Sequence, residues 1–201
     1  MNIIFWGTPD YSVESLKTLI DSHHKISAVI TQPDKKRSRG SKLIPTPIKK
    51  IALDHHIPVL TPNKIKNNID LIEILKSFNS DVFVVIAYGK ILSSEILSIP
   101  RYGCWNAHAS LLPRWRGAAP IHWALLKGDS FTGVGIIKMD KGLDTGDLLL
   151  EETVRINESD NLHTLSKKLS ILSSNLIYKS LEMIEKEPKA VKSKLLPQKL
   201  K

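Results

Sequence analysis

The first 110 residues alternate short, unbroken apolar runs with leucines and isoleucines at helical spacing, and few folds accept that pattern. Residues 82–87 are the strongest run, with no polar position, as a strand covered on both faces requires. Residues 3–6 read as an earlier strand closed by the turn Gly7-Thr8-Pro9, and Leu16, Leu19 and Ile20 mark the helix after it. A second strand at residues 26–31 ends at Pro33. Residues 34–47 read as an irregular loop, broken by prolines and Gly40. Pro47 can open a helix, residues 58–60 form a short strand, and Leu71, Ile72 and Leu75 mark another helix. A short helix near Ser94 and a strand at residues 104–108 complete the series. Strand alternating with helix predicts an α/β fold. The expected form is a Rossmann-like open, mostly parallel sheet with helices on both faces and right-handed crossovers.

After residue 130 the pattern changes. Residues 134–139 and 148–156 are strand-like, and the segment between them leaves no room for a helix, which predicts an antiparallel pair. Residues 161–187 predict one long helix with Leu162, Leu165, Leu169, Leu172, Leu176, Leu181 and Ile184 on one stripe, ended by Pro188. Residues 1–187 are therefore expected as one domain and residues 188–201 as a basic linker or tail.

Charge is unevenly spread. Of 29 bases against 20 acids, seven bases and no acid lie in residues 35–50, and six bases with only Glu187 lie in residues 186–201. The rest of the chain is slightly acidic, so a polyanion gripped by those two segments, or simply a solvated loop and tail, accounts for the excess. No apolar stretch reaches the ~18 residues that span a bilayer. The single cysteine, Cys104, excludes an internal disulfide framework and a cysteine-rich zinc site, and a reducing cytoplasmic compartment is expected.

The glycine fingerprint of dinucleotide-binding folds is missing after the first strand, which carries Gly-Thr-Pro-Asp instead. His23-His24 and His55-His56 sit at helix ends, where surface or capping roles are expected. Asn106 and His108 share a face near a strand's carboxyl end, where open α/β sheets bind ligands. An amide donor and an imidazole there can hold an oxyanion and move a proton, or can simply bond to nearby loops. Arg114 and Arg116 flank Trp115 in the following loop, suited to an anion or to pairing with acids. Asp140, Asp144 and Asp147 with two glycines form a tight turn between strands. A carboxylate from such a turn, placed beside a histidine, fixes its tautomer and favours its charged form.

Four stretches together resemble the N-terminal catalytic domain of the methionyl-tRNA formyltransferase family. They are FWGTPDYS from Phe5, TQPDKKRSRGSKLIPTPIK from Thr31, NAHASLLPRWRGAAPI from Asn106 and MDKGLDTGD from Met139. Asn-x-His-x-Ser-Leu-Leu-Pro with a downstream Asp is similar to the wider folate-dependent formyltransferases. The resemblance implies the formyltransferase fold and a catalytic trio of Asn106, His108 and Asp144. It implies 10-formyltetrahydrofolate as formyl donor, held partly by Ser110, Leu111, Leu112 and Pro113, and no metal. Lys35, Lys36, Arg37, Arg39 and Lys42 are implied to meet initiator methionyl-tRNA, with Arg39 at the loop tip. It further implies a cytoplasmic monomer, and a C-terminal β-barrel domain that binds tRNA in the family and is not present among these 201 residues. Formyl transfer to a sugar nucleotide or glycinamide ribonucleotide, hydrolysis of the folate donor, and an inactive tRNA- or folate-binding remnant are the alternative readings.

Overall fold

The computed structural model describes residues 1–36 and 43–198. A seven-stranded sheet forms the centre. It is built from β1 (Asn2–Gly7), β2 (Lys25–Ile30), β5 (Val59–Leu60), β6 (Val82–Ile86), β7 (Cys104–His108), β8 (Phe131–Lys138) and β9 (Leu148–Arg155). The spatial order is β5-β2-β1-β6-β7-β8-β9, parallel from β5 to β7 and antiparallel thereafter. The chain builds outward from β1 to β5, then returns to place β6 on the other side of β1. That reversal puts the switch point between β1 and β6, and ligands bind at the carboxyl ends around such a point.

Period-2 alternation in β1 feeds two layers, both wholly buried. Ile3 and Phe5 pack with α1 (Val13–Ile20) and α6 (Leu162–Lys186), whereas Ile4 and Trp6 pack with α3 (Ile69–Ser77) and α4 (Ser94–Leu97). The long helix α6 is capped by Asn161 and Thr164 in a reciprocal capping box. Its expected stripe is buried at Leu165, Leu169, Leu176, Leu181 and Ile184. Buried Ser170, Ser173, Ser174 and Ser180 share that face, and Ser173 Oγ lies 2.7 Å from Tyr11 Oη. Small side chains let α6 lie close on α1. Leu162 departs from the expected stripe: it is exposed, beside the cavity described below.

Two further departures come from backbone pairings that the apolar pattern does not announce. The segment read as an irregular loop begins and ends in a small ladder, with β3 (Lys35–Lys36) antiparallel to β4 (Leu43–Ile44). The Thr31 and Thr46 hydroxyls, 2.8 Å apart, and the 2.6 Å ion pair from Lys49 Nζ to Asp34 draw its limbs together beside the start of α2 (Pro47–Asp54). After Pro188 the chain is not a bare linker. Proline opens α7 (Pro188–Lys194), Val191 is buried, and Leu196 exchanges two 2.9 Å backbone bonds with Leu148. Isolated apolar residues among lysines gave no periodic signal.

Candidate active site

Val85 pairs with Asn106, so the carboxyl ends of β6 and β7 lie side by side at the rim. Cys104 faces the second core layer, and Asn106 and His108 follow it on the same face, beyond the packed interior. Burial pushes the Cys104 thiol up, leaving it an inert core group.

Asp144 joins these residues. Its Oδ1 accepts from Asn106 Nδ2 at 3.1 Å, and its Oδ2 accepts from the Gly117 amide at 2.9 Å and lies 3.5 Å from His108 Nδ1. A carboxylate can only accept, so the Asn106 NH2 must face it, and one amide hydrogen is left for another acceptor. His108 Nε2 donates to the Trp115 carbonyl at 2.9 Å. The trio implied by the resemblance is thus brought together from two segments, β7 and the loop between β8 and β9.

Both loops that complete the site are held from behind. Arg114 makes a bidentate pair with Asp129 at 2.6 and 2.9 Å, and Trp115 Nε1 donates to the same carboxylate at 2.7 Å. The Arg114 guanidinium, with help from the Trp115 indole, holds the Asp129 carboxyl below its usual range. That support is complete above the ordinary carboxylate range and is lost as pH falls through the lowered value. Arg114 therefore pairs with an acid, whereas Arg116 bonds Gln198 Oε1 at 2.6 and 2.8 Å. Gln198 Nε2 then donates to the carbonyls of Asp144 and Gly146, at 2.9 and 2.8 Å. Ala87, Trp115, Ala119 and Asp144 have left-handed φ values of 49°, 60°, 57° and 53°. Such backbone costs roughly 1–2 kcal/mol per non-glycine residue, and these bonds hold two of the four, Trp115 and Asp144, in place. Asp129→Asn is expected to loosen Trp115 and slow turnover by up to about 10-fold, short of the hundredfold that a 1 Å misplacement can cost. Steady-state rates at neutral pH check it.

The trio opens into a cavity of about 640 Å³, bounded by residues 87–92 after β6, residues 117–122 at the start of α5 (Pro120–Leu126), and residues 139–146 between β8 and β9. Ile91, Leu92, Met139 and Leu143 give it apolar walls, and Asn106, His108 and Asp144 give it a polar end. Ser110, Leu111, Leu112 and Pro113 do not line it. Ser110 Oγ donates to the Arg114 carbonyl at 2.6 Å, and Leu111 and Leu112 fill the space over Gly133 and Gly135 of β8. Their packing turns them toward the core. Lys35 is exposed in β3, Lys36 follows it in the same strand, and Arg37, Arg39 and Lys42 lie outside the described residues.

A family model described as formyl transferase matches residues 1–181. The chain belongs to the formyl transferase family. Among its relatives, a methionyl-tRNA formyltransferase of Prochlorococcus marinus (strain MIT 9215) is 63% identical over 199 residues. The match covers 98% of this chain and 61% of that relative, so the chain spans about three fifths of the curated protein. Among solved structures of the family fold, a phosphoribosylglycinamide formyltransferase from Bacillus halodurans superposes with a TM-score of 0.75 at 24% identity, covering 94% of this chain and 97% of that one. A formyltetrahydrofolate deformylase from Pseudomonas syringae pv. tomato str. DC3000 gives 0.71 at 19% identity, covering 90% of this chain and 59% of that one. Sequence reasoning missed the Trp115 carbonyl, the Gly117 amide and Gln198. The first two are backbone atoms with no side-chain signature, and Gln198 reaches the site from 52 residues beyond Gly146.

Proposed function

We propose that the chain transfers the formyl group of 10-formyltetrahydrofolate to the α-amine of methionine on initiator tRNA. One observation carries this reading: the basic segment springs from the carboxyl end of β2, on the same rim as the cavity that holds the trio. Gln32 ties the two, donating to the Tyr88 carbonyl at 2.9 Å. An RNA backbone gripped by lysines and arginines there would deliver its 3′ end toward Asn106 and His108. A sugar nucleotide, a glycinamide ribonucleotide or water has no use for seven bases in 16 residues.

The cavity fits a folate donor in size and chemistry, with apolar walls at Ile91, Leu92, Met139 and Leu143 for a flat ring. That donor supplies a formyl carbon already activated on nitrogen. The free hydrogen of Asn106 Nδ2 is placed to stabilise the oxygen on which negative charge builds, an effect worth roughly 3 kcal/mol for one donor. As the amine–carbon bond forms and the folate nitrogen–carbon bond breaks, one proton passes from the amine to the leaving nitrogen. His108 is the group that moves it, and Asp144 orients the ring and balances its charge. No described helix is long and apolar enough to cross a membrane, and the proposed substrates belong to the cytoplasm.

The test offers methionyl-tRNA, a sugar nucleotide, glycinamide ribonucleotide and water separately as formyl acceptors. Formylated methionyl-tRNA is the expected product, and formate release as the dominant reaction overturns the reading. Neutralising Lys35, Lys36, Arg37, Arg39 and Lys42 is expected to weaken tRNA binding and flatten its salt dependence, with folate binding unchanged.

A further inference from the structure

The opposite end of the sheet holds a second concentration of chemistry that the reaction does not use. His23 and His24 lie in the turn between α1 and β2, at the amino end of that strand. Glu182 and Glu185, three residues apart on the last turns of α6, face them across the packed α1–α6 pair. One ligand atom from each of the four residues falls within 4.8 Å of all the others.

The spacings are those of a coordination shell. His23 Nε2 lies 2.8 Å from Glu185 Oε2 and 3.4 Å from Glu182 Oε1, and His24 Nε2 lies 3.6 Å from Glu182 Oε1. Four nitrogen and oxygen ligands at about 2.0–2.1 Å from a tetrahedral ion stand about 3.3 Å from one another. A second observation is independent of that spacing. The His24 side chain is 0% exposed, yet its Nε2 has no hydrogen-bond partner, and neither has buried Glu182 Oε1 opposite it. Two facing, desolvated polar atoms that lack hydrogen-bond partners are costly unless something satisfies both.

We propose that His23, His24, Glu182 and Glu185 bind one zinc ion that pins the turn before β2 to the end of α6. Two imidazoles with two carboxylates suit zinc, and would hold magnesium or calcium poorly. The remaining atoms form a supporting shell. Lys186 Nζ holds Glu182 Oε2 at 2.9 Å, and the Met1 amine donates to Glu185 Oε1 at 2.8 Å and lies 3.2 Å from His24 Nδ1. Burial and the neighbouring Met1 amine lower the His24 pKa, which favours the neutral ring that a metal needs. Zinc on Nε2 would leave the ring hydrogen on Nδ1, so the Met1 ammonium would keep its bond to Glu185 Oε1 and no longer donate to the ring.

The experiment titrates zinc alone into the tag-free, metal-stripped chain by calorimetry, and cobalt(II) by absorption. One equivalent of zinc, intense tetrahedral cobalt bands and a raised thermal midpoint are expected. His23 is 54% exposed, so His23→Gln can be made without opening the core. It and Glu182→Gln are each expected to weaken zinc at least ~10-fold, the effect of losing even a supporting group. His163→Gln, on an exposed part of the chain, leaves binding unchanged. No stoichiometric zinc, or equal affinity in His23→Gln and the parent chain, overturns the proposal. Neither result bears on formyl transfer, because the readouts are metal binding and stability.

Discussion

His108→Ala is expected to lower formyl transfer at least ~100-fold, the range for losing a positioned acid–base group, while unfolding stays cooperative. The structure explains why the two effects separate. Removing the ring leaves Asp144 bonded to Asn106 and to the Gly117 amide, so the loop that carries it keeps two of its three links to the site. The Trp115 carbonyl loses its partner, but Arg114, Asp129 and the stacked Trp123 ring still hold that residue. A folded variant that binds the folate donor yet transfers its formyl group slowly is the result that fits. Initial rates with methionyl-tRNA, together with donor binding followed by fluorescence, measure both. Turnover near that of the parent chain would remove His108 from the mechanism and leave Asn106 as the working group.

The reach of sequence reasoning follows from what each residue does. The sheet was legible because residues such as Val82, Val84 and Ile86 have one task, burial, and an unbroken apolar run records it. Asn106 and His108 were legible as a pair because a strand puts every second residue on one face. Asp144 was not assigned by spacing, since aspartate in a glycine-containing turn reads equally well as turn chemistry; only the resemblance singled it out. Ser110, Leu111, Leu112 and Pro113 show the opposite problem. The resemblance implied a donor site there, while the Ser110 hydroxyl is engaged with the Arg114 carbonyl and the Leu111 and Leu112 side chains lie over β8. Such a run can mark a site through the backbone it shapes rather than by touching a ligand. His24 reads as a surface or capping residue because a paired histidine before a strand has an exposed default, and its burial depends on a helix 158 residues later, at Glu182.

Gly146→Ala tests whether the Asp144 loop is held as rigidly as its bonds imply. A methyl at Gly146 would overlap the Lys138 carbonyl oxygen and press on the Met139 Cα. Both are backbone, and the Lys138 amide is fixed by its 3.0 Å bond to the Asp147 carbonyl, so neither can swing aside as a side-chain tip would. The loop must lift instead. Lifting breaks the 2.8 Å bond from Gln198 to the Gly146 carbonyl and carries Asp144, two residues away, off His108 and Gly117. Overpacking of this kind costs about 1–3 kcal/mol of stability, and an ångström of displacement at a reacting group costs about 100-fold in rate. Gly128→Ala is the matched control. Its φ is +64° but nothing lies within 4 Å of an added Cβ, so it is expected to cost about 1 kcal/mol through backbone strain alone and to leave turnover near normal. Thermal midpoints and turnover for the two variants separate the effects. If Gly146→Ala loses stability but keeps its rate, Asp144 is positioned by Asn106 and Gly117 rather than by its own loop.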